Sequence, residues 1–261
     1  MTRRRFYVPA QSISAETAVL PPEQAHHLRD VLRLAVGDPV ELFDGRGNGY
    51  TGIVADISRE VRVGRLKRLV LPLLPQPRLS VAVALVKSDR FEWMLQKATE
   101  LGADEFIPLT TRFTNIRVPG HRLEERLHRW ERIVTEAARQ CGRHDVPAVV
   151  QPLEFPRFLE AEQSAPLARF LFFEGDGQLL VPDCAESGGA VLCIGPEGGW
   201  DQSEVDAALS AGFRTFSLGR SVLRSETAAI AAVVLFRYHS ARAIAGNTAF
   251  PDPSGDREER S

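Results

Sequence analysis

The sequence predicts two units: a small β-rich barrel, then an α/β domain with a mostly parallel sheet. Three observations carry this. Residues 1–72 hold short, alternating apolar runs with one hairpin signal and one amphipathic helix. From residue 79, continuous apolar runs alternate with segments of helical periodicity. Between them lies Leu71-Pro72-Leu73-Leu74-Pro75-Gln76-Pro77, whose prolines suit a linker rather than an element. The boundaries expected are 1–72 for the barrel, 73–78 for the linker, 79–246 for the α/β domain and 247–261 for a disordered, charged tail.

In the first unit, Arg5-Phe6-Tyr7-Val8 starts a strand. Val40–Phe43 and Tyr50–Val54 flank the glycine-rich turn Asp44–Gly49, and Val61–Leu66 alternates like a further strand. Pro21-Pro22-Glu23 opens a helix whose apolar face is His27, Leu28, Val31, Leu32 and Leu34, with a stop expected near Gly37. In the second unit, Leu79–Val86 has the continuous apolar character of a strand covered on both faces. A helix with Phe91, Met94, Leu95, Ala98 and Leu101 on one face ends at Gly102, and Glu105–Leu109 is the next strand. A longer helix spans Leu123 to Cys141 and stops at Gly142. Further strands are expected at Phe170–Phe173, Ala190–Ile194 and Thr215–Leu218. Asp201 with Glu204 forms a capping box, and a last helix runs from about Glu226 to Arg242.

Composition excludes several classes. No apolar run reaches membrane-span length. Met1–Ala10 lacks the apolar core of a signal peptide, so a cytoplasmic protein is expected. Cys141, Cys184 and Cys193 are far apart and lack ligand spacing, which fits reduced thiols. The net charge of −2 is unevenly spread. Residues 1–77 carry eleven Lys and Arg against eight Asp and Glu, whereas residues 151–261 carry nine against sixteen. A mildly basic front half suits a surface that meets a polyanion, and equally an ordinary solvated one. His26-His27 is half a metal site with no nearby partner, so no metal is expected.

The chemistry is concentrated in two loops. Ile194-Gly195-Pro196-Glu197-Gly198-Gly199 and Leu218-Gly219-Arg220-Ser221-Val222-Leu223-Arg224-Ser225-Glu226-Thr227-Ala228 each follow a buried strand and lead into a helix. Such loops at strand ends form a ligand crevice. A phosphate cradle and a nucleoside-like cofactor pocket are the two uses. No Gly-Lys-Ser/Thr ending is present, and Glu197 opposes a phosphate. A carboxylate in a glycine loop better suits a cationic, hydroxyl-bearing ligand such as S-adenosylmethionine, with Ile194, Leu218 and Leu223 enclosing its ring. The bland alternative is that the glycines end strands while Glu197 and Glu226 stabilise helix starts.

Together with Gln96-Lys97-Ala98-Thr99-Glu100-Leu101-Gly102, His26-His27-Leu28, Val31-Leu32-Arg33, Gly37-Asp38 and Gln140-Cys141-Gly142-Arg143, these loops resemble one family. It is the SPOUT-class (knotted) RNA methyltransferases that methylate uridine N3 in small-subunit ribosomal RNA. The likeness spans residues 5 to about 240. Phe113-Thr114-Asn115-Ile116-Arg117 departs from the expected polar or cysteine-bearing stretch and leaves that segment's role open. The resemblance implies a trefoil knot in the α/β domain, a PUA-like RNA-binding barrel, a homodimer, S-adenosylmethionine as cofactor and 16S rRNA within the 30S subunit as substrate. The expected cofactor contacts are Phe173, Ile194, Gly195, Pro196, Glu197, Gly198, Gly199, Leu218, Gly219, Val222, Leu223, Arg224, Thr227 and Ala228. Arg224 is expected to face the uracil carbonyls and Glu226 to accept the proton, with Glu197 a weaker acceptor; an Arg224–Glu226 ion pair is the structural alternative. Arg3, Arg4, Arg5, Arg29 and Arg33 are candidate RNA phosphate contacts. The other functions that fit are ribose 2′-O methylation of another RNA and a non-catalytic RNA-binding assembly factor. A nucleotide hydrolase would need a hidden phosphate site and magnesium.

Overall fold

The computed structural model describes residues 4–70, 76–162, 166–174, 178–179 and 188–245. Arg3, Cys184, most of the proline-rich linker and the expected tail lie outside them.

The first unit comprises β1 (Arg5–Tyr7), β2 (Thr17–Val19), α1 (Pro22–His26), β3 (Pro39–Phe43), β4 (Gly49–Asp56) and β5 (Arg62–Arg68). Its sheet has the order β1-β3-β4-β5-β2 and curls into a half-barrel. The hairpin pairs Leu42 with Tyr50 and Phe43 with Gly49, and Gly45 and Gly47 take φ of +74° and +91° in the turn. Phe6, Val8, Leu28, Val40, Leu42, Val54 and Val63 fill the concave side. The sequence expects the helix to reach Gly37, but it ends sooner. Beyond α1 the chain widens into a π-helical turn, His27–Val31. It then closes across Arg33, at φ +52°, with the Leu34 amide donating to the Leu28 carbonyl.

The second unit contains β6 (Arg78–Ala84), α2 (Ser88–Glu100), β7 (Glu105–Thr110), α3 (Leu123–Cys141), β8 (Ala148–Val149), β9 (Leu153–Glu154), α4 (Phe155–Glu162), β10 (Ala168–Phe172), β11 (Gln178–Leu179), β12 (Gly189–Ile194), α5 (Gln202–Ser210), β13 (Arg214–Ser217) and α6 (Ser225–Ala245). The strand order is β11-β13-β10-β12-β6-β7-β8, with β9 also on β7, and every pair is parallel. The chain builds outward from β6 to β8, crosses back to β10, and inserts β12 between β10 and β6.

The period-two alternation of the strands divides the core. Leu192 and Ile194 of β12 pack with Phe91 and Leu95 of α2, Trp130 of α3 and Val233 and Phe236 of α6. Val191 and Cys193 face the opposite layer, with Phe155 and Phe158 of α4 and Val205 of α5. Burial pushes the Cys193 thiol well up, so it stays a neutral core thiol.

Polar groups join the two units. The Arg5 side chain is 1% exposed. Its Nε donates to Glu41 Oε1 at 2.6 Å, its Nη1 to the Ala138 carbonyl at 3.2 Å and its Nη2 to the Arg143 carbonyl at 2.6 Å. Its guanidinium lies over the Phe43 ring, 4.5 Å from the centroid. It therefore adds a side-chain donor at the C-terminal end of α3, where the Ala138 carbonyl also accepts from the Gly142 and Arg143 amides, and binds the Arg143 carbonyl just beyond the helix. Arg143 continues inward, donating to the Thr99 and Ala103 carbonyls at 3.0 and 2.6 Å and to Asp104 at 2.9 Å. Arg237 of α6 meets the same Asp104 at 2.8 Å.

Two outcomes follow from this junction. Arg5→Ala removes the buried donors to Glu41 and to the Ala138 and Arg143 carbonyls, so urea unfolding should show a loss of about 3 kcal/mol; a loss below about 0.5 kcal/mol, the surface-substitution range, would contradict the assignment. Burial alone would raise the Asp145 pKa, but its hydrogen bond and ion pair with Arg143 hold it below the usual carboxylate range. A depressed carboxylate stabilises the fold above its unfolded pKa and loses that contribution as pH falls through the folded value. Asp145→Asn should therefore be less stable than the native chain at pH 7, with the difference shrinking as pH drops below about 4. A pH-independent difference would rule this out.

Candidate active site

The C-terminal ends of β12, β10 and β13 lie side by side, and the loops that leave them enclose a cavity of about 240 Å³. Phe173, Ile194, Gly195, Pro196, Gly199, Leu218, Gly219, Val222, Leu223 and Ala228, all expected from the sequence as cofactor contacts, line it. So do Trp200, Ser217 and Ser225, which the sequence reading passed over. Most of the wall is main chain and apolar side chain, with Glu174 and Arg220 as its charged members. Such a wall holds a flat heterocycle through backbone donors and acceptors and needs no particular side chain.

Two glycines have definite reasons. A Cβ on Gly195 would lie 2.7 Å from Trp200 Nε1, so the indole can cross the loop only because no side chain is there. That Nε1 donates to the Phe172 carbonyl at 2.9 Å and fixes the end of β10. Gly219 takes φ +119°, a conformation that side chains resist. The Ser225 hydroxyl, buried at the start of α6, donates to the Gly195 carbonyl at 2.7 Å and ties the two loops together.

The remaining expected residues stand apart from the cavity wall. Glu197 pairs with Arg90 on α2 and does not line the cavity. Gly198 packs under Phe113, whose Cβ is 3.0 Å from where a glycine Cβ would sit. That contact gives the Phe113–Arg117 segment a place: it covers the first glycine loop. Next to it, the Arg112 amide donates to Glu204 at 2.9 Å and the Arg112 guanidinium meets Asp201 at 3.1 Å, across the capping box of α5. Thr227 is exposed. Glu226 is 6% exposed; its Oε1 is 3.8 Å from Arg90 Nε, and its Oε2 has no hydrogen-bond partner among the described residues. Arg224 is exposed and makes no ion pair among the described residues, so the Arg224–Glu226 pairing does not form.

Of the expected RNA contacts, Arg5 requires correction: its guanidinium is consumed inside the junction and presents nothing to a phosphate. Arg4 pairs with Asp38 at 3.0 Å and Arg29 with Asp30 at 3.5 Å, both on the surface, and Arg33 is exposed. His26 contacts Asp30 at 2.6 Å and His27 contacts Arg139 at 3.0 Å. Burial and the Arg139 charge lower the His27 pKa. Among the described residues no group of three or more potential ligands could hold a metal, and no helix is long and apolar enough to cross a membrane. A more open cleft of about 790 Å³ lies between α1 and the α2–α3 pair. Its lining includes Trp93, Gln96, Arg132 and Glu136 but neither glycine loop, so size does not make it the cofactor site.

The RNA methyltransferase domain family matches residues 73–237, the whole region that builds this cavity, and the RNA methyltransferase PUA domain family matches residues 20–63. The chain belongs to the RNA methyltransferase family. Ribosomal RNA small subunit methyltransferase E of Synechocystis is 35% identical over 87% of this chain and 75% of its own length. The solved structure of ribosomal RNA small subunit methyltransferase E of Neisseria gonorrhoeae bound to S-adenosyl methionine is 29% identical, with a TM-score of 0.82 over 90% of this chain and 97% of that one. A methyltransferase of Legionella pneumophila in complex with the same cofactor matches equally, at 29% identity and a TM-score of 0.82 over 91% and 98%. The α/β unit of this methyltransferase is thus SPOUT-type, and the half-barrel ahead of it is PUA-like.

Gly195→Ala drives a methyl group into the Trp200 indole. It should weaken S-adenosylmethionine binding at least about tenfold by calorimetry, with helix content unchanged by circular dichroism. Native affinity would show that the close approach is incidental.

Proposed function

We propose that this chain uses S-adenosylmethionine to methylate N3 of a uridine in 16S rRNA of the small ribosomal subunit. The observation that carries the cofactor assignment is the cavity that both glycine loops share. It lies within the region matched by the methyltransferase family, and solved relatives at 29% identity bind this cofactor. The residues fit the group: the apolar side chains of Ile194, Leu218 and Leu223 and a main-chain wall suit an adenine ring, and the missing Cβ at Gly195 keeps the loop compact. The small-subunit RNA substrate is supported by the names of the relatives and by the PUA match. The N3 acceptor rests on the loop motifs.

We infer the organisation that accompanies this activity: a trefoil knot around the cofactor loops, residues 1–72 as an RNA-binding unit with Arg4, Arg29 and Arg33 toward phosphates, a catalytic unit over 79–246, and action in the cytoplasm on RNA in the 30S particle. A homodimer is supported by Val234 and Tyr238 of α6, which are 43% and 57% exposed.

When bound, the cofactor supplies an electrophilic methyl group on a sulfonium. The chain must remove the N3 proton, steady the resulting uracil anion and hold its nitrogen in line. Arg224, which makes no ion pair among the described residues, faces the uracil carbonyls and stabilises the anion. Glu226 accepts the N3 proton on its carboxylate, whose Oε2 is buried and has no hydrogen-bond partner among the described residues. Attack brings opposite charges together, so exclusion of water and alignment outweigh further charge stabilisation.

The test is methyl transfer from labelled S-adenosylmethionine to unmodified 30S subunits and, in parallel, to protein-free 16S RNA, with nucleosides identified by mass spectrometry. 3-Methyluridine is expected. A ribose-methylated nucleoside would move the acceptor, and cofactor binding without transfer to either RNA would contradict the substrate assignment. Arg224→Ala should lower turnover on the accepted RNA about a hundredfold or more while leaving cofactor affinity within about threefold.

A further inference from the structure

One guanidinium stands between two carboxylates that belong to the two cofactor loops. Arg90 lies in the first turn of α2 and lines no part of the cofactor cavity. Its Nη1 contacts Glu197 Oε1, in the loop after β12. Its Nε is 3.8 Å from Glu226 Oε1, at the start of α6. On the cavity side the same loops are tied by the Ser225–Gly195 hydrogen bond. The loops are therefore joined twice, once at the cavity wall and once away from it.

We propose that Arg90 is a positioning residue for methyl transfer, setting both the separation of the cofactor loops and the orientation of the Glu226 carboxylate. This rests on the cofactor site and the role of Glu226 given above. Glu226 is 6% exposed, and a carboxylate removed from water needs a compensating cation. Among the described residues, Arg90 is the cation within ion-pair distance of it. Without that cation Glu197 and Glu226 would repel each other and the loops would part. Arg90 also distinguishes the two oxygens of Glu226, standing 3.8 Å from Oε1, while Oε2 is buried with no hydrogen-bond partner among the described residues. Only a guanidinium has a fork of donors that can address two carboxylates at once; an ammonium is a single point.

The experiment is a double-mutant cycle on the full chain with two readouts: S-adenosylmethionine affinity by calorimetry, and single-turnover methylation of unmodified 30S subunits at saturating cofactor. Arg90→Met should weaken cofactor binding about tenfold and slow the saturated step about tenfold more. Glu197→Gln, which removes one of the two carboxylates that Arg90 bridges, should weaken binding and slow the saturated step, each by less than Arg90→Met does. In the Arg90→Met background, Glu197→Gln should add less than about twofold, the mark of a shared interaction. Arg90→Lys should recover affinity better than rate. A purely structural arginine would lower thermal stability without moving the saturated rate, and that outcome overturns the proposal, as do multiplicative losses in the cycle. Should Arg90→Met not fold, Arg90→Lys against Glu197→Gln runs the same cycle. A native chain that binds no cofactor would refute the functional assignment itself, whereas native binding with an indifferent Arg90→Met refutes only this inference.

Discussion

The site depends on the hydrogen bond from Ser225 to the Gly195 carbonyl. A parallel sheet brings strand ends to one rim but leaves their loops independent, and glycine-rich loops have much conformational entropy to lose. The 2.7 Å bond joins the loop after β12 to the start of α6. It has a second consequence: it fixes where the first turn of α6 begins, and so where Glu226 and the preceding Arg224 stand. The Trp200 indole, admitted by the bare Gly195, fastens the end of β10 to the same rim. Three strands then act as one rigid edge. A site built on strand ends can hold reacting atoms more accurately than one built on free loops.

The PUA-like half-barrel and the SPOUT-type α/β unit are not loosely tethered. Arg5 enters from β1 and finishes the end of α3; Arg143, just beyond that helix, reaches the α2–β7 turn; Arg237 of α6 converges on the same Asp104. The helix that carries Glu226 at its start thus meets, further along, a polar chain that leads to the half-barrel. Buried arginines with several carbonyl acceptors are costly to detach, so the two units keep a fixed relation.

Much of this was legible in the sequence where a local rule governs. Gly142 ends α3 at φ +92°, and Asp201 with Glu204 caps α5 as the spacing predicts. The continuous apolar runs became the central strands, and both glycine loops border one cavity. The failures have physical causes. The two-residue strands β8, β9 and β11 are too short for periodicity to register, and α4, with Pro156 in its first turn, carries a weak helical signal. The early end of the first helix rests on Arg33 at positive φ, where a glycine would have been the usual sign. Arg5 stands in a run of three arginines that suits a phosphate surface, but the carbonyls that claim it lie more than 130 residues away. Arg90 was invisible for the same reason, since its partner Glu197 is 107 residues distant. Residue type and spacing disclosed the loops; which charge answers which is a property of the tertiary fold.

The central claim is that the two glycine loops form one cofactor site at the ends of β10, β12 and β13. Hydrogen exchange read by mass spectrometry, with and without S-adenosylmethionine, tests it most directly. The account predicts that residues 194–200 and 218–228 gain protection together at the same cofactor concentration, while the wider cleft between α1 and α3 does not change. Protection confined to one loop, or centred on that cleft, would contradict it.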